Sequence, residues 1–246
     1  MEHAKLERYG LISVSGEDAR DFLHAQLTND IKGLARDRAA FAGWCTAKGR
    51  LLATFLVVPM KDGFLLQLSR DLVPAIVKRL SMFVLRSRVK VADATALWTQ
   101  VGSWGEDGEP RGDLGILEAD DSIVVRVGDK RFLRITPPTK PVEATALEEQ
   151  WRMQEIQAGR PWISVATQDQ FVPQMVNLEK LGGVDFHKGC YPGQEIVARA
   201  QYRGEVKRRM VRLPAPAGDA PKPGQELNGG TVVDVAGGEM LAVMPV

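Results

Sequence analysis

Lys188-Gly189-Cys190-Tyr191-Pro192-Gly193-Gln194-Glu195, preceded by His187 and followed by Ile196-Val197-Ala198-Arg199, is the densest chemical stretch of the chain. Two glycines bracket one cysteine, so the backbone can turn sharply there and let a ligand or partner approach closely. Pro192 holds Tyr191 extended and pre-sets the start of a helix running through Glu195 and Ala200. Cys190 then sits near a helix N-terminus, with Lys188 and His187 close in sequence, and both features favour a thiolate. A thiol lowered from about 8.5 to about 6.5 would change from a few per cent thiolate at pH 7 to mostly thiolate. The competing reading makes Cys190 a small apolar residue buried in a tight turn. Cys45, between Trp44 and Thr46 in a strand-like run, reads as core.

Working outward, the next segment is basic. Lys188, Arg199, Arg203, Lys207, Arg208, Arg209 and Arg212 stand against only Glu195 and Glu205. Such a cluster suits phosphates or the carboxylates of a polyanionic small molecule, although any single member fits a solvated charged face. Over the whole chain 32 Lys and Arg meet 31 Asp and Glu, a net charge of +1. That balance, and the lack of an aromatic-interleaved RNA signature, speak against nucleic acid as a direct ligand. The 246 residues, 44% of them hydrophobic, suffice for one large domain or two small ones without a disulfide or metal staple. Two cysteines outside any C-x-x-C pair and three histidines (His3, His24, His187) do not compose a metal site. Met1 to Gly10 carries charges where a signal peptide needs an apolar run, and the longest apolar stretch, 51–60, is about half a bilayer span. The expectation is a soluble, cytoplasmic protein with no membrane partner.

Periodicity gives the order of elements. Ser15-Gly16-Glu17-Asp18 opens a helix in which Ala19, Phe22, Leu23 and Leu27 recur at helical spacing and Asn29 closes the pattern. Strand-like runs over 39–46 and 51–58 flank the turn Lys48-Gly49-Arg50, and 64–68 follows the turn Lys61-Asp62-Gly63. Ser69 is placed to cap a helix bearing Leu72, Ile76 and Leu80, with Pro74 in its first turns. Alternation over 84–91 predicts a half-buried strand, and Gly102 to Asp113 a surface loop. Thr145 with Glu148 has the form of a capping box for a helix that Gly159 ends. Pro214 to Gly224 is linker-like, and Asn228-Gly229-Gly230 turns between short strands at 232–235 and 240–243. Helices mixed with antiparallel hairpins favour α+β over a doubly wound parallel sheet.

The 188–195 stretch resembles the K-G-C-Y-x-G-Q-E signature of the YgfZ family of folate-binding proteins, relatives of the T-protein (aminomethyltransferase) of the glycine cleavage system. Other segments resemble the family in the same order. Asp21-Phe22-Leu23 through Gln26-Leu27-Thr28-Asn29-Asp30 matches its N-terminal helix and turn, Lys48-Gly49-Arg50 its K-G-R turn, and Leu85 to Val89 its strand. Phe171-Val172-Pro173-Gln174 with Asn177-Leu178 leads into the signature, and Tyr202-Arg203-Gly204 with Lys207-Arg208 follows it. Pro192 stands where threonine is common, which removes a hydroxyl but keeps the turn.

The resemblance implies a T-protein-like α+β fold. Interleaved α/β subdomains would surround a central folate cavity over residues 1–205, with a small C-terminal β-barrel over 206–246, trimmed because little chain follows Arg212. It implies a tetrahydrofolate-binding accessory protein that supports assembly or repair of iron–sulfur enzymes, including tRNA-modifying ones. Partners would be folate and those enzymes or their assembly factors. Cys190 and Lys188 would form the functional centre. Asn29, Asp30, Arg50, Arg152, Tyr191, Gln194, Glu195 and Arg199 are the candidate folate contacts, with no metal ligands, and the basic cluster would hold the glutamate tail. One departure bears on chemistry. The T-protein has paired acids inside a G-G-x-x-D-D stretch, whereas this chain has Gly49-Arg50-Leu51-Leu52-Ala53-Thr54. Neither Ala nor Thr can act as general base at neutral pH, which counts against the alternative of a folate-dependent aminomethyltransferase or other one-carbon transferase.

Overall fold

The computed structural model describes residues 1–140, 142–204 and 206–246; Pro141 and Glu205, the latter one of the two acids of the basic run, lie outside the described residues. In chain order the first elements are β1 (Glu2–Lys5), β2 (Tyr9–Ser15), α1 (Ala19–Gln26), β3 (Ala40–Cys45), β4 (Leu51–Met60), β5 (Gly63–Ser69) and α2 (Val73–Ser81). Then come β6 (Lys90–Asp93), β7 (Thr99–Trp104), β8 (Ile116–Ala119), β9 (Ser122–Gly128), β10 (Arg131–Thr136) and α3 (Glu148–Gln157). The last are α4 (Gln194–Tyr202), β11 (Arg208–Pro214), β12 (Glu226–Leu227), β13 (Gly230–Ala236) and β14 (Glu239–Pro245). The chain forms two compact units, each assembled from separated segments. The architecture is α+β.

The first unit comprises Met1–Ala19, Gly33–Ala40 and Leu56–Trp151. One of its sheets is antiparallel in the order β1-β7-β10-β9-β8. Gly102 lies inside β7 rather than in the expected loop, because the Trp151 ring packs flat on that strand. A Cβ at Gly102 would stand 2.3 Å from Trp151 Cε3. The other ladder places β2 between β5 and β6, with Ile12 opposite Leu66 and Val14 opposite Val91. Leu11, Ile12 and Val14 are all fully buried, so β2 is apolar on both faces and shows no clean alternation.

Three further local expectations are corrected in this unit. Ser69 makes no side-chain cap; a 3₁₀ turn over Arg70–Leu72 intervenes, and α2 starts after Leu72 with its proline in the first turn. Thr145 does not cap α3 either. Its hydroxyl donates to Glu2 (2.8 Å) and accepts the His3 N–H (2.9 Å), so it ties the chain to β1. The 84–91 run is not a strand. Successive turns occupy it until β6 begins at Lys90, because Leu85 adopts φ +43° and breaks the pleat.

The second unit comprises Arg20–Lys32, Phe41–Phe55 and Arg152–Val246. Here β3 and the first half of β4 form a hairpin around the expected turn, with Thr46 N–H donating to the Arg50 carbonyl (2.8 Å). Asn228 and Gly229, both at positive φ, make the tight turn between β12 and β13 that the Asn-Gly pair predicts. Where a small barrel is implied, the C-terminal strands form a four-stranded antiparallel sheet, β11-β14-β13-β12. Arg152 on α3 binds this sheet, its Nε donating to Asp234 of β13 (2.8 Å).

Behind β3 and β4 the core of this unit holds an ion pair. Glu155 accepts from Arg160 (2.8 Å) and from the Trp162 indole (2.7 Å), and the Arg160 guanidinium lies 5.2 Å from the Phe41 ring centroid. Both charges are buried, so each is tolerable only while the other is present. Among the described residues no helix is long and apolar enough to cross a membrane. Glu155→Ala should lower unfolding free energy by about 3–5 kcal/mol in urea titrations, because it strands the Arg160 charge in the core. The double change Glu155→Leu with Arg160→Met should recover most of that loss.

Candidate functional site

The signature segment of the second unit is anchored by its own backbone partners. Asp185 Oδ1 accepts the N–H groups of His187 (2.6 Å) and Lys188 (3.1 Å), an Asx-type turn that delivers the chain to Cys190. The Asp185 N–H in turn donates to the Thr28 carbonyl (2.9 Å). Thr28 is fully buried; its hydroxyl accepts the Gly43 N–H (2.7 Å) and donates to the Gly183 carbonyl (2.6 Å). Asn29 donates to the carbonyls of Phe41 and Gly182, both at 2.7 Å. The turn after α1 is thereby tied to β3 and to the approach of the signature.

Lys188 ends α1. Its Nζ donates to the carbonyls of His24 and Leu27 (2.6 Å to the latter), acceptors that the finished helix leaves without an intrahelical donor. The same nitrogen sits 4.9 Å from the centroid of the buried Tyr191 ring. Burial lowers the Lys188 amine from 10.5 to about 8, against the opposing pull of Asp30, Asp185 and Cys190. A neutral amine still has two N–H donors for two carbonyls, so the cap survives deprotonation. Burial, and then the Lys188 charge, also hold His24 below its ordinary value, although Asp30 lies 3.0 Å from its Nδ1. Burial pushes the Tyr191 phenol up.

Two glycines dock the start of α4. Gly193 caps the helix at φ +80°, and a Cβ there would meet the Thr46 carbonyl at 2.4 Å and Gly49 Cα at 2.6 Å. Gly49, at φ +70°, has no room either, since a Cβ would stand 2.9 Å from Ile196 Cβ. The K-G-R turn and the signature helix touch backbone to backbone, which only glycine permits at both places. Arg50, beside Gly49, spends its guanidinium on the Gln170 carbonyl.

Within this frame Cys190 is exposed, whereas Cys45 is buried in β3 and its thiol is pushed up to about 12 by that burial. The reading of Cys190 as a small buried residue is overturned, and that of Cys45 as core is upheld. The structure brings Lys188, Cys190, Tyr191, Asn29 and Asp30 together. Gln194 reaches back to the Lys188 carbonyl only at 3.4 Å, and Glu195 and Arg199 stand exposed on α4. Arg152 is committed to Asp234. Sequence reasoning missed His24, Thr28 and Asp185 as members of the site. Asp185, two residues before His187, carried the one available signal, an Asx turn. Thr54, placed by the resemblance where the T-protein has its second acid, is buried; its hydroxyl donates to the Pro161 carbonyl (2.5 Å) and accepts the Ile163 N–H (3.1 Å).

Comparison with known proteins bears on the fold and the family. The fold matches the glycine cleavage system aminomethyltransferase T of Bartonella henselae with a TM-score of 0.70, over 99% of this chain and 78% of that one, at 13% identity. The chain is 31% identical over 244 residues to the tRNA-modifying protein YgfZ of Pectobacterium carotovorum, covering 90% of this chain and 73% of that protein. It belongs to the YgfZ family. The Sodalis glossinidius YgfZ is also 31% identical, over 242 residues, covering 90% of this chain and 74% of that protein. An uncharacterized protein of Haemophilus influenzae is 34% identical over 207 residues, covering 83% and 70%. No family model matches the chain. The T-protein fold is therefore shared, while this YgfZ-family chain has Ala53 and Thr54, both buried, and no carboxylate at either position.

A colourless disulfide reagent that releases a coloured thiolate should titrate one thiol per native chain, at Cys190, and two after unfolding. The Lys188 amine makes a second, independent expectation. Between about 8 and its ordinary 10.5 the unfolded chain holds a proton that the folded chain has released, so stability should rise with pH across that window. Thermal melts of Lys188→Met over the same range should show that rise flattened.

Proposed function

We propose that the chain is a tetrahydrofolate-binding accessory protein that supports assembly or repair of iron–sulfur enzymes, tRNA-modifying ones among them, with Cys190 as its working thiol. The observation that carries this reading is the presentation of Cys190. Cys190 is exposed on a turn anchored on either side: Lys188 on the end of α1, Asp185 on the turn's N–H groups, Gly193 against Gly49. An exposed free cysteine on an anchored turn is accessible to something outside the chain. The family relation supports the tRNA-modification link, because the relatives of P. carotovorum and Serratia proteamaculans are named as tRNA-modifying proteins. The shared T-protein fold supports a folate ligand.

The residues present are compatible with folate. Its glutamate carboxylates need cations, and Lys48, Arg199 and Arg203 are exposed on the second unit, the two arginines one turn apart on the α4 segment. Bound tetrahydrofolate would supply a one-carbon carrier. Arg50 and Arg152, already bonded to Gln170 and Asp234, serve this reading as scaffold. Tyr191, Gln194, Asn29 and Asp30 would line the polar approach to the thiol, in the cytoplasm. Aminomethyl transfer is disfavoured because Thr54 spends its hydroxyl on Pro161 and Ile163 and offers no base.

Anaerobic calorimetry with tetrahydrofolate should give micromolar-range binding, about −8 kcal/mol, to both the parent chain and Cys190→Ala. In cells lacking the native protein, Cys190→Ala should fail to restore the activity of iron–sulfur tRNA-modifying enzymes that the parent restores. Full restoration by Cys190→Ala would falsify the thiol role, and absence of folate binding by either chain would remove the ligand.

A further inference from the structure

Residues 78–90 carry five cations, Lys78, Arg79, Arg86, Arg88 and Lys90, and no acid. The whole segment belongs to the first unit, and the residues of the thiol site belong to the second. After α2 the chain continues in consecutive hydrogen-bonded turns. Met82 N–H donates to Arg79 (3.2 Å), Phe83 to Leu80 (3.1 Å), Val84 to Ser81 (3.2 Å) and Ser87 to Val84 (2.8 Å). The turns are thus held, yet they put their apolar side chains into solvent. Met82 is 69% exposed, Phe83 43% and Leu85 88%.

Leu85 breaks two rules at once. A large apolar residue faces water, and its φ of +43° lies in the left-handed region, where a Cβ is disfavoured and glycine or asparagine would be the ordinary choice. Neither feature helps the unit fold. The nearby acids Glu17 and Asp18 are spent on Arg88, whose side chain pairs with both and whose N–H donates to Asp18 (2.7 Å). What this ridge offers outward is therefore an exposed apolar knob, Leu85, beside the exposed Arg86, in a segment whose charged residues are all basic.

We propose that the 82–88 ridge is a docking surface for an acidic protein partner, with Leu85 and Met82 entering an apolar pocket and Arg86 meeting a rim of Asp and Glu. A preformed turn with one prominent anchor suits a protein pocket, since little ordering is left for the moment of binding. A membrane surface would call for a longer apolar face lying flat. Single-stranded RNA would call for successive rings to stack on, and the ridge carries only one, Phe83.

The test uses the full chain as bait for a random peptide display library, followed by anisotropy titration of the enriched peptides. Peptides in which acids flank an apolar residue should emerge, and Leu85→Asp and Arg86→Glu should each weaken their binding by about tenfold or more. Leu85→Gly separates docking from folding, because glycine accepts this φ without strain. That variant should melt at or above the parent temperature and still bind as weakly as Leu85→Asp. Enrichment without acidic character, or consensus peptides that bind Leu85→Gly as tightly as the parent, would overturn the proposal. So would co-sedimentation of the parent with phosphatidylglycerol vesicles that Leu85→Asp abolishes, which would give the ridge to a lipid surface.

Discussion

A single amine organises the second unit's site. Lys188 Nζ closes the carbonyl end of α1, and through that contact the signature segment, the turn at Thr28-Asn29-Asp30 and β3 become one piece. A helix end buried without donors would leave orphan carbonyls, each costing about 1–3 kcal/mol, so the cap is a condition for this packing rather than an addition to it. Burial lowers the amine toward about 8, and the cap tolerates either protonation state because the neutral form keeps its donors. The lysine therefore holds the frame, and the cysteine two residues on is what the frame displays.

The same logic applies at Thr54, where the resemblance places an acid of the T-protein. Thr54 is buried, and its hydroxyl donates to the Pro161 carbonyl. An ionised carboxylate at that place would face a carbonyl oxygen and have no proton to give. The segment that supplies this carbonyl continues from Arg160, which is locked to Glu155 together with the Trp162 indole. Exchanging Thr54 for an acid would thus disturb a satisfied polar network in the core.

Much of the backbone was legible. The hairpin at Lys48-Gly49-Arg50, the Asn228-Gly229 turn and the helix after Pro192 all follow from residues whose own torsions dictate the shape. Local rules failed where a distant contact outbid them. Ser69 and Thr145 have capping chemistry, but a 3₁₀ turn displaces the first and β1 claims the hydroxyl of the second. The alternation over 84–91 has the period of a strand, yet Leu85 turns left-handed and the ladder starts only at Lys90. Gly102 looks like loop punctuation and is instead the gap beneath Trp151.

By itself the sequence determined the class of fold, the family signature and the residues with reactive chemistry, because turn torsions, periodicity and functional groups are local properties. It marked Cys190 and Lys188 without separating their roles. Only the tertiary structure decided that Lys188 is held by the end of a helix more than 160 positions away, that Arg152 belongs to Asp234, and that Cys190 faces solvent. Those outcomes depend on which carbonyls and carboxylates come within hydrogen-bonding distance after folding. That proximity is set by long-range packing, and no window of the chain contains it.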